Sequence, residues 1–302
     1  MKKLLISVFI LFISFSGFAQ ERFQIFHLAG NYNFMQTTAD DNDNNYETAI
    51  MAQVKIPKVF KNKNVWYTQI DYHYFDVDNE YVTTSNFERL QLHGIILKTG
   101  YVHRLNESSS LQALVSPRLM TDFNASVSNS MQWGGLLMYE KIKNDNFAWK
   151  VGVMYNQDFF GPYVVPVVDL NWKLTDKLRL SGLIPVYGAL YVEPSENFQA
   201  GLHFIGLTTS YKISEPGFEN HYVDRRSIDV SLFSKVHLFN NFYVTARAGY
   251  SLTRDYGIFH EDDKMDIGLP LVNIGDDRTR LNNEYEGSPF VHLRVSYEIP
   301  VK

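Results

Sequence analysis

The chain has 302 residues, a formal net charge of −5, 15% aromatic residues and no cysteine. An acidic chain without a basic block is a poor nucleic-acid binder, because phosphate contacts need clustered Lys and Arg. Zero cysteine excludes disulfides, thiolate zinc sites, iron–sulfur clusters and a lipoprotein anchored through an N-terminal Cys.

Residues 1–19 read as a cleaved signal peptide. Lys2 and Lys3 form its positive start, Leu4 to Phe15 its apolar stretch, and Gly17-Phe18-Ala19 a small-x-small cleavage site. Ser7, Ser14 and Ser16 interrupt the run, which falls short of the roughly 18–20 apolar residues of a spanning helix. The expected mature chain, residues 20–302, holds 26 basic against 33 acidic residues.

No later window of helix-spanning length is uncharged and apolar. What recurs is two-residue alternation in segments of about ten residues, punctuated by Asn, Asp, Gly and Ser. It predicts strands at 23–35, 47–56, 65–75, 88–104, 110–122, 130–142, 147–158, 163–173, 178–184, 186–193, 198–213, 225–238, 242–254 and 288–300. Ile50, Ala52, Val54 and Ile56 oppose Met51, Gln53 and Lys55, and Trp66, Ile70, Tyr72 and Tyr74 oppose Gln69, Asp71 and His73. Farther on, Phe147, Trp149, Val151 and Val153 oppose Lys150, and Ile228, Val230 and Leu232 oppose Ser227, Asp229 and Ser231. Phe242 to Leu252 and Val291 to Ile299 each carry an apolar face, against Tyr243, Thr245, Arg247, Gly249, Ser251 and Thr253 in one and His292, Arg294, Ser296 and Glu298 in the other. Ile95-Ile96-Leu97 interrupts the pattern. Continuing the register points Lys98 outward, and a bulge near Gly94 is the expected remedy.

Alternation alone fits a soluble sandwich or a membrane barrel. Connection length separates them. Compact turns (105–109, 143–146, 174–177, 194–197, 239–241, with 57–64 the longest) alternate with mostly longer loops (36–46, 76–87, 123–129, 214–224, 255–287). Short periplasmic turns and long external loops are the habit of outer-membrane barrels. Trp66, Trp133, Trp149 and Trp172 fall near strand ends on the outward parity, which suits an aromatic girdle. The expected fold is therefore all-β, a transmembrane antiparallel up-and-down β-barrel of about fourteen strands, in contact with outer-membrane lipid. Twelve strands is the alternative if 178–184 and 186–193, separated by Pro185, form one irregular segment.

The stretches Trp172-Lys-Leu-Thr-Asp176-Lys-Leu-Arg-Leu180 and Tyr191-Val-Glu-Pro-Ser195-Glu-Asn-Phe-Gln-Ala-Gly201, with Ala246-Arg-Ala-Gly-Tyr250 and Arg254, carry a resemblance. The chain resembles an uncharacterised family of bacteroidete-type outer-membrane barrels known only as a domain of unknown function. The resemblance implies an outer-membrane barrel, with no activity and no functional residue to carry over. The chain departs from the usual barrel ending, closing on Glu298-Ile-Pro-Val-Lys302 rather than an aromatic residue, so Tyr297 is the expected signal to the barrel-insertion machinery.

The candidate lumen residues are Asp71, His73, His93, Arg118, Lys150, Asp229, Lys235, Arg247, His292, Arg294 and Glu298. Asp71, His73 and His93 would meet if hairpin pairing joined their strands. That trio suits a metal or an acid–base pair, but an ordinary wet lumen wall is the preferred reading. Ser116, Ser227 and Ser251 lie in no nucleophile motif. The run at 40–45 is oxygen-rich but lacks the glycine and terminal glutamate of a calcium loop. No catalytic residue, metal site or cofactor is assigned. The expected function is non-enzymatic passage or binding of a small solute or lipid-like molecule, with conductance as its sign. A lipid-acting hydrolase and a structural or adhesive barrel working through acidic external loops are the alternatives.

Overall fold

The computed structural model describes residues 22–35, 45–78 and 89–300. The expected signal peptide, the oxygen-rich run at 40–44 and residues 79–87 of the second expected loop lie outside the described residues. Among the described residues all regular structure is β, apart from one 3₁₀ turn at Ser128–Ser130. No helix is long and apolar enough to cross a membrane among them.

The strands are β1 (Arg22–Met35), β2 (Asn45–Lys55), β3 (Lys58–Val59), β4 (Val65–Asp78), β5 (Arg89–Asn106), β6 (Ser109–Thr121) and β7 (Met131–Asn144). There follow β8 (Phe147–Asp158), β9 (Gly161–Lys173), β10 (Leu178–Ile184), β11 (Tyr187–Ser195) and β12 (Phe198–Ile213). The last are β13 (His221–Phe239), β14 (Phe242–His260), β15 (Ile267–Leu269), β16 (Val272–Ile274) and β17 (Ser288–Pro300). All but β3, β15 and β16 build the wall, each antiparallel to the next. β17 pairs with β14 on one side and with β1 on the other, from Arg22↔Pro300 to Asn33↔Phe290. The result is a closed fourteen-stranded barrel, and closure removes the unpaired edges that an open sheet would leave.

Side-chain alternation sets the two faces. Leu232, Leu293, Leu252, Leu137 and Val291 stand at least half exposed on the outer surface, while Ser231, Ser296, Thr245 and Gln132 between them are buried toward the lumen. Residues 178–193 form two strands, with Leu178↔Val192 through Ser181↔Ala189 paired as a hairpin around Pro185. Gly182 allows its tight end. Its φ is +149°, and a Cβ there would stand 2.4 Å from the Tyr187 carbonyl oxygen.

This hairpin is the short member of the wall. β10 has seven residues and β11 nine, whereas β12, β13 and β14 have sixteen to nineteen. Beyond the hairpin the long strands lean across the mouth. Lys212 of β12 pairs with Thr121 of β6, the Asp122 amide donates to the Lys212 carbonyl at 3.1 Å, and the Phe159 amide donates to Ser210 Oγ at 2.8 Å. The barrel tapers toward its long loops, and side chains from opposite walls meet there. Phe75, Leu90, Leu92, Met120, Tyr211, Ile213, Tyr256 and Ile258 are essentially fully buried in one cluster.

Two register details differ from the sequence reading. β5 has no bulge at Gly94. Gly94, Ile96 and Lys98 face the lumen and His93, Ile95 and Leu97 face outward. In β14 a bulge does occur, between the pairs Asp229↔Ser251 and Ile228↔Thr253. It exchanges parity, so Arg254 points inward and Thr253 outward.

Candidate functional site in the lumen

The lumen divides into a packed half under the long loops and a hollow half above the short turns. The packed half is organised by Glu47, 0% exposed. Its carboxylate accepts from both sides. Arg254 Nη1 lies 2.8 and 2.9 Å from its two oxygens, Asn33 Nδ2 donates at 2.6 Å, and Tyr256 donates its hydroxyl proton. Arg225 Nη2 adds a contact at 3.4 Å, and its guanidinium lies 4.0 Å from the Phe75 ring centre. Arg254 also grips Asp229 through Nη2 at 2.5 Å. Glu47 stands on β2 and Arg225 on β13, so the network ties walls that are not neighbours. A buried charge is tolerable only when paired and hydrogen-bonded, and here each charge is.

The long loop after β14 covers this seal. Arg278 reaches Asp224 at 3.1 Å and the Tyr222 hydroxyl at 3.2 Å, beneath the Phe259 ring. Arg280 holds Asp255 through two bonds of 2.6 and 2.7 Å, and the Tyr285 hydroxyl donates to the Asp78 carbonyl. Two acids near the strand ends, Asp224 and Asp255, are thus neutralised by arginines of the loop. Outside the strands, the hydrogen bond from Lys212 holds the Glu261 carboxyl below its usual range, and that from Arg278 does the same for Asp276.

The hollow half holds a cavity of about 480 Å³ at the short-turn end, bordered by Lys150, Asp169, Arg179, Tyr191, Lys235 and Glu298, among others. Its charges are mostly paired. Lys235 meets Glu298 at 2.6 Å, Arg179 meets Glu193 at 2.5 Å, and Lys150 sits 3.5 Å from Glu140 and 3.4 Å from Asp169.

The candidate residues from the sequence divide as follows. Asp71 faces the lumen but does not meet His93. Its partners are Lys98 at 2.8 Å, Gln53 and Gln69. His73 is on the lumen face one pleat away, with Nδ1 buried and unbonded. His93 is a correction, because it lies on the outer surface with its Nδ1 3.0 Å from the Tyr72 hydroxyl and its ring against Tyr74 and Phe123. The expected trio therefore does not assemble, and no group of three metal-ligating side chains occurs among the described residues. Arg118 pairs with Asp158 at 3.2 Å. Ser251 and Ser227 bond Asp229 and Arg225 respectively, within the guanidinium network. Glu47 and the inward position of Arg254 escaped the sequence reading. Parity from Gln53 and Lys55 was the signal that could have exposed Glu47.

Arg247, Arg294 and His292 differ from the rest. Arg247 pairs in register with His292, and Arg294 with Thr245 on one side and Ala29 on the other. Neither arginine has a carboxylate within 4 Å among the described residues, while both Nε atoms and His292 Nε2 are buried without a partner. Trp66, Trp133, Trp149 and Trp172 all project from the outer surface, the first, third and fourth toward the short-turn end and Trp133 toward the loop end.

Comparison with solved structures gives barrels of low sequence identity. The TodX monoaromatic hydrocarbon channel in its deltaS2 mutant form is 10% identical, with a TM-score of 0.43 over 94% of this chain and 91% of its own. The Pseudomonas putida toluene transporter TodX is 10% identical, with a TM-score of 0.37 over 95% and 90%. The NanC porin is 9% identical, with a TM-score of 0.38 over 91% and 100%. No curated protein matches the chain. A family model does match, over residues 12–264, and on that extent the chain belongs to the domain-of-unknown-function family DUF6268.

Proposed function

We propose that this chain is an exported outer-membrane barrel that is closed at rest toward its long loops and holds a small solute in the short-turn half of its lumen. In the membrane its apolar outer face would meet lipid, with the four tryptophans at headgroup level. The short turns would face the periplasm, and β17, which carries Tyr297, would be the strand met by the insertion machinery. The observation that carries the reading is the division of the lumen. A polar cavity of solute size lies on one side of a seal made of fully buried side chains.

Fourteen strands can enclose a lumen wider than side chains from an eight-stranded wall would fill. The taper and the Glu47 network occupy the loop half of that space. Conductance, expected from barrel size and polar inner faces, is therefore a property of an opened state. The test is a planar-bilayer recording of the mature protein. Silence at rest, with events after the seal is weakened, is the expected outcome. A steady large conductance in the unaltered protein would refute closure.

A further inference from the structure

We propose that Arg247, Arg294 and His292 form a binding site for a small organic anion carrying a carboxylate or phosphate group, entering from the short-turn end. This rests on the solute-holding reading above and names the chemistry of its ligand.

The argument begins with pairing. Asp71, Asp158, Asp229 and Glu298 on the lumen wall each have a cationic partner, and Lys98, Arg118, Lys150, Lys235, Arg225 and Arg254 each have a carboxylate partner. Arg247 and Arg294 break that rule. The nearest carboxylates on their own strands' neighbours are committed elsewhere, Asp229 to Arg254 and Ser251, and Glu298 to Lys235 and Ser296. The two arginines are also diagonal neighbours. Arg247 lies opposite His292 on β17, and Arg294 is the next inward residue along that strand. Diagonal inward residues are within reach of long side chains, and two like charges so placed repel.

A buried guanidinium that repels its neighbour is held at a cost unless an anion joins it. The surroundings are suited to one. His292 Nε2 and both Nε groups have no partner, so their hydrogen-bonding capacity is uncommitted. Arginine's planar fork matches carboxylate and phosphate oxygens. Arg247 and Arg294 are mostly but not completely buried, and as inward-facing residues they turn the part that stays accessible toward the lumen. They lie two inward positions deeper than Tyr243 and Glu298, which border the cavity open at the short-turn end. Phe233, opposite Arg247 in register and in contact with the His203 and Tyr191 rings, supplies an apolar flank for the carbon part of an organic anion. Lipid is a poor candidate source, because the route from outside the wall crosses the apolar outer face.

The experiment uses the full mature chain in neutral detergent, titrated separately with inorganic phosphate, succinate and uncharged erythritol. Binding heat and the thermal midpoint are read together. Expected are saturable heat and a raised midpoint with phosphate, succinate or both, and neither with erythritol. Arg247→Gln and Arg294→Gln should each weaken the effect at least tenfold, and the double variant should abolish it. In anion-free buffer Arg294→Gln should melt no lower than the unaltered protein, because a repulsion is removed. No response to either anion, a response that survives in the double variant, or a lower midpoint for Arg294→Gln without anion would each overturn the site. Resting silence in bilayers together with a negative titration would remove the ligand class and leave the closed barrel standing.

Discussion

Replacing Glu47 by alanine isolates the contribution of the seal. The side chain is fully buried and accepts from Arg254, Asn33 and Tyr256, with Arg225 close by. Alanine would leave Arg254 with Asp229 and Ser251, and Arg225 with Tyr256 and Ser227, so neither cation is wholly abandoned. Removing one partner of a buried ion pair costs about 3–5 kcal/mol. The low end, about 3 kcal/mol, is expected here because of those remaining contacts. If most of that cost falls on the closed state, the population of the open lumen rises by roughly two orders of magnitude, at about 1.4 kcal/mol per tenfold. Single-channel recording of Glu47→Ala beside the unaltered protein checks this, with urea unfolding in detergent giving the stability loss. Glu47→Gln, which keeps acceptor and shape but not charge, should fall between. A Glu47→Ala protein as silent and as stable as its parent would show that the network does not hold the seal.

Four further outcomes are expected. Leu293→Arg places a charge on the outer face, where midplane lipid would make it cost about 2–4 kcal/mol, measured as a lower urea midpoint in bilayers; an unchanged midpoint would argue that lipid does not wet this face. Lys98→Met should cost only about 1 kcal/mol, because Lys98 is 40% exposed, its pair is screened, and Gln53 and Gln69 still bond Asp71; thermal melting checks it. Gly182→Ala should lower the melting point and loosen the β10–β11 hairpin in hydrogen exchange, since no room exists for the added carbon. Glu261 and Asp276 are held below their ordinary values, so their contribution to the cap is present at neutral pH and fades as pH falls below about 4, through those depressed values; limited proteolysis of the loop across pH 3–7 should show cleavage rising only at the acidic end.

The outline of the barrel was legible because its polar lumen face and apolar outer face alternate residue by residue along most strands. Ile228, Val230 and Leu232 against Ser227, Asp229 and Ser231 needed only counting by twos. The errors sit where that count is ambiguous. Three consecutive aliphatic residues at 95–97 carry no parity, so His93 was placed inside. In the structure Lys98, diagonal to Asp71 across the β4–β5 pair, faces inward and supplies its counter-charge, and unbroken pairing from there leaves His93 outside. At Leu252 the reverse happened, since nothing local announces a bulge between two well-formed alternating stretches. Arg254 reaches the core because of it. From the sequence Arg247 and Arg294 are two lumen charges like the others, because which charges find partners depends on how β13, β14, β17 and β1 are placed in register.

The abbreviated β10–β11 hairpin gives one molecule two circumferences. Strand number fixes girth, and a hairpin that stops partway lets the rim at one end close on fewer ribbons than the rim at the other. Adding a few residue pairs to that hairpin would widen the narrow rim by parting β12 from β6 at Lys212 and Thr121. Aperture in such a molecule is then a dial set by the length of a single insertion, adjustable without redesigning the wall.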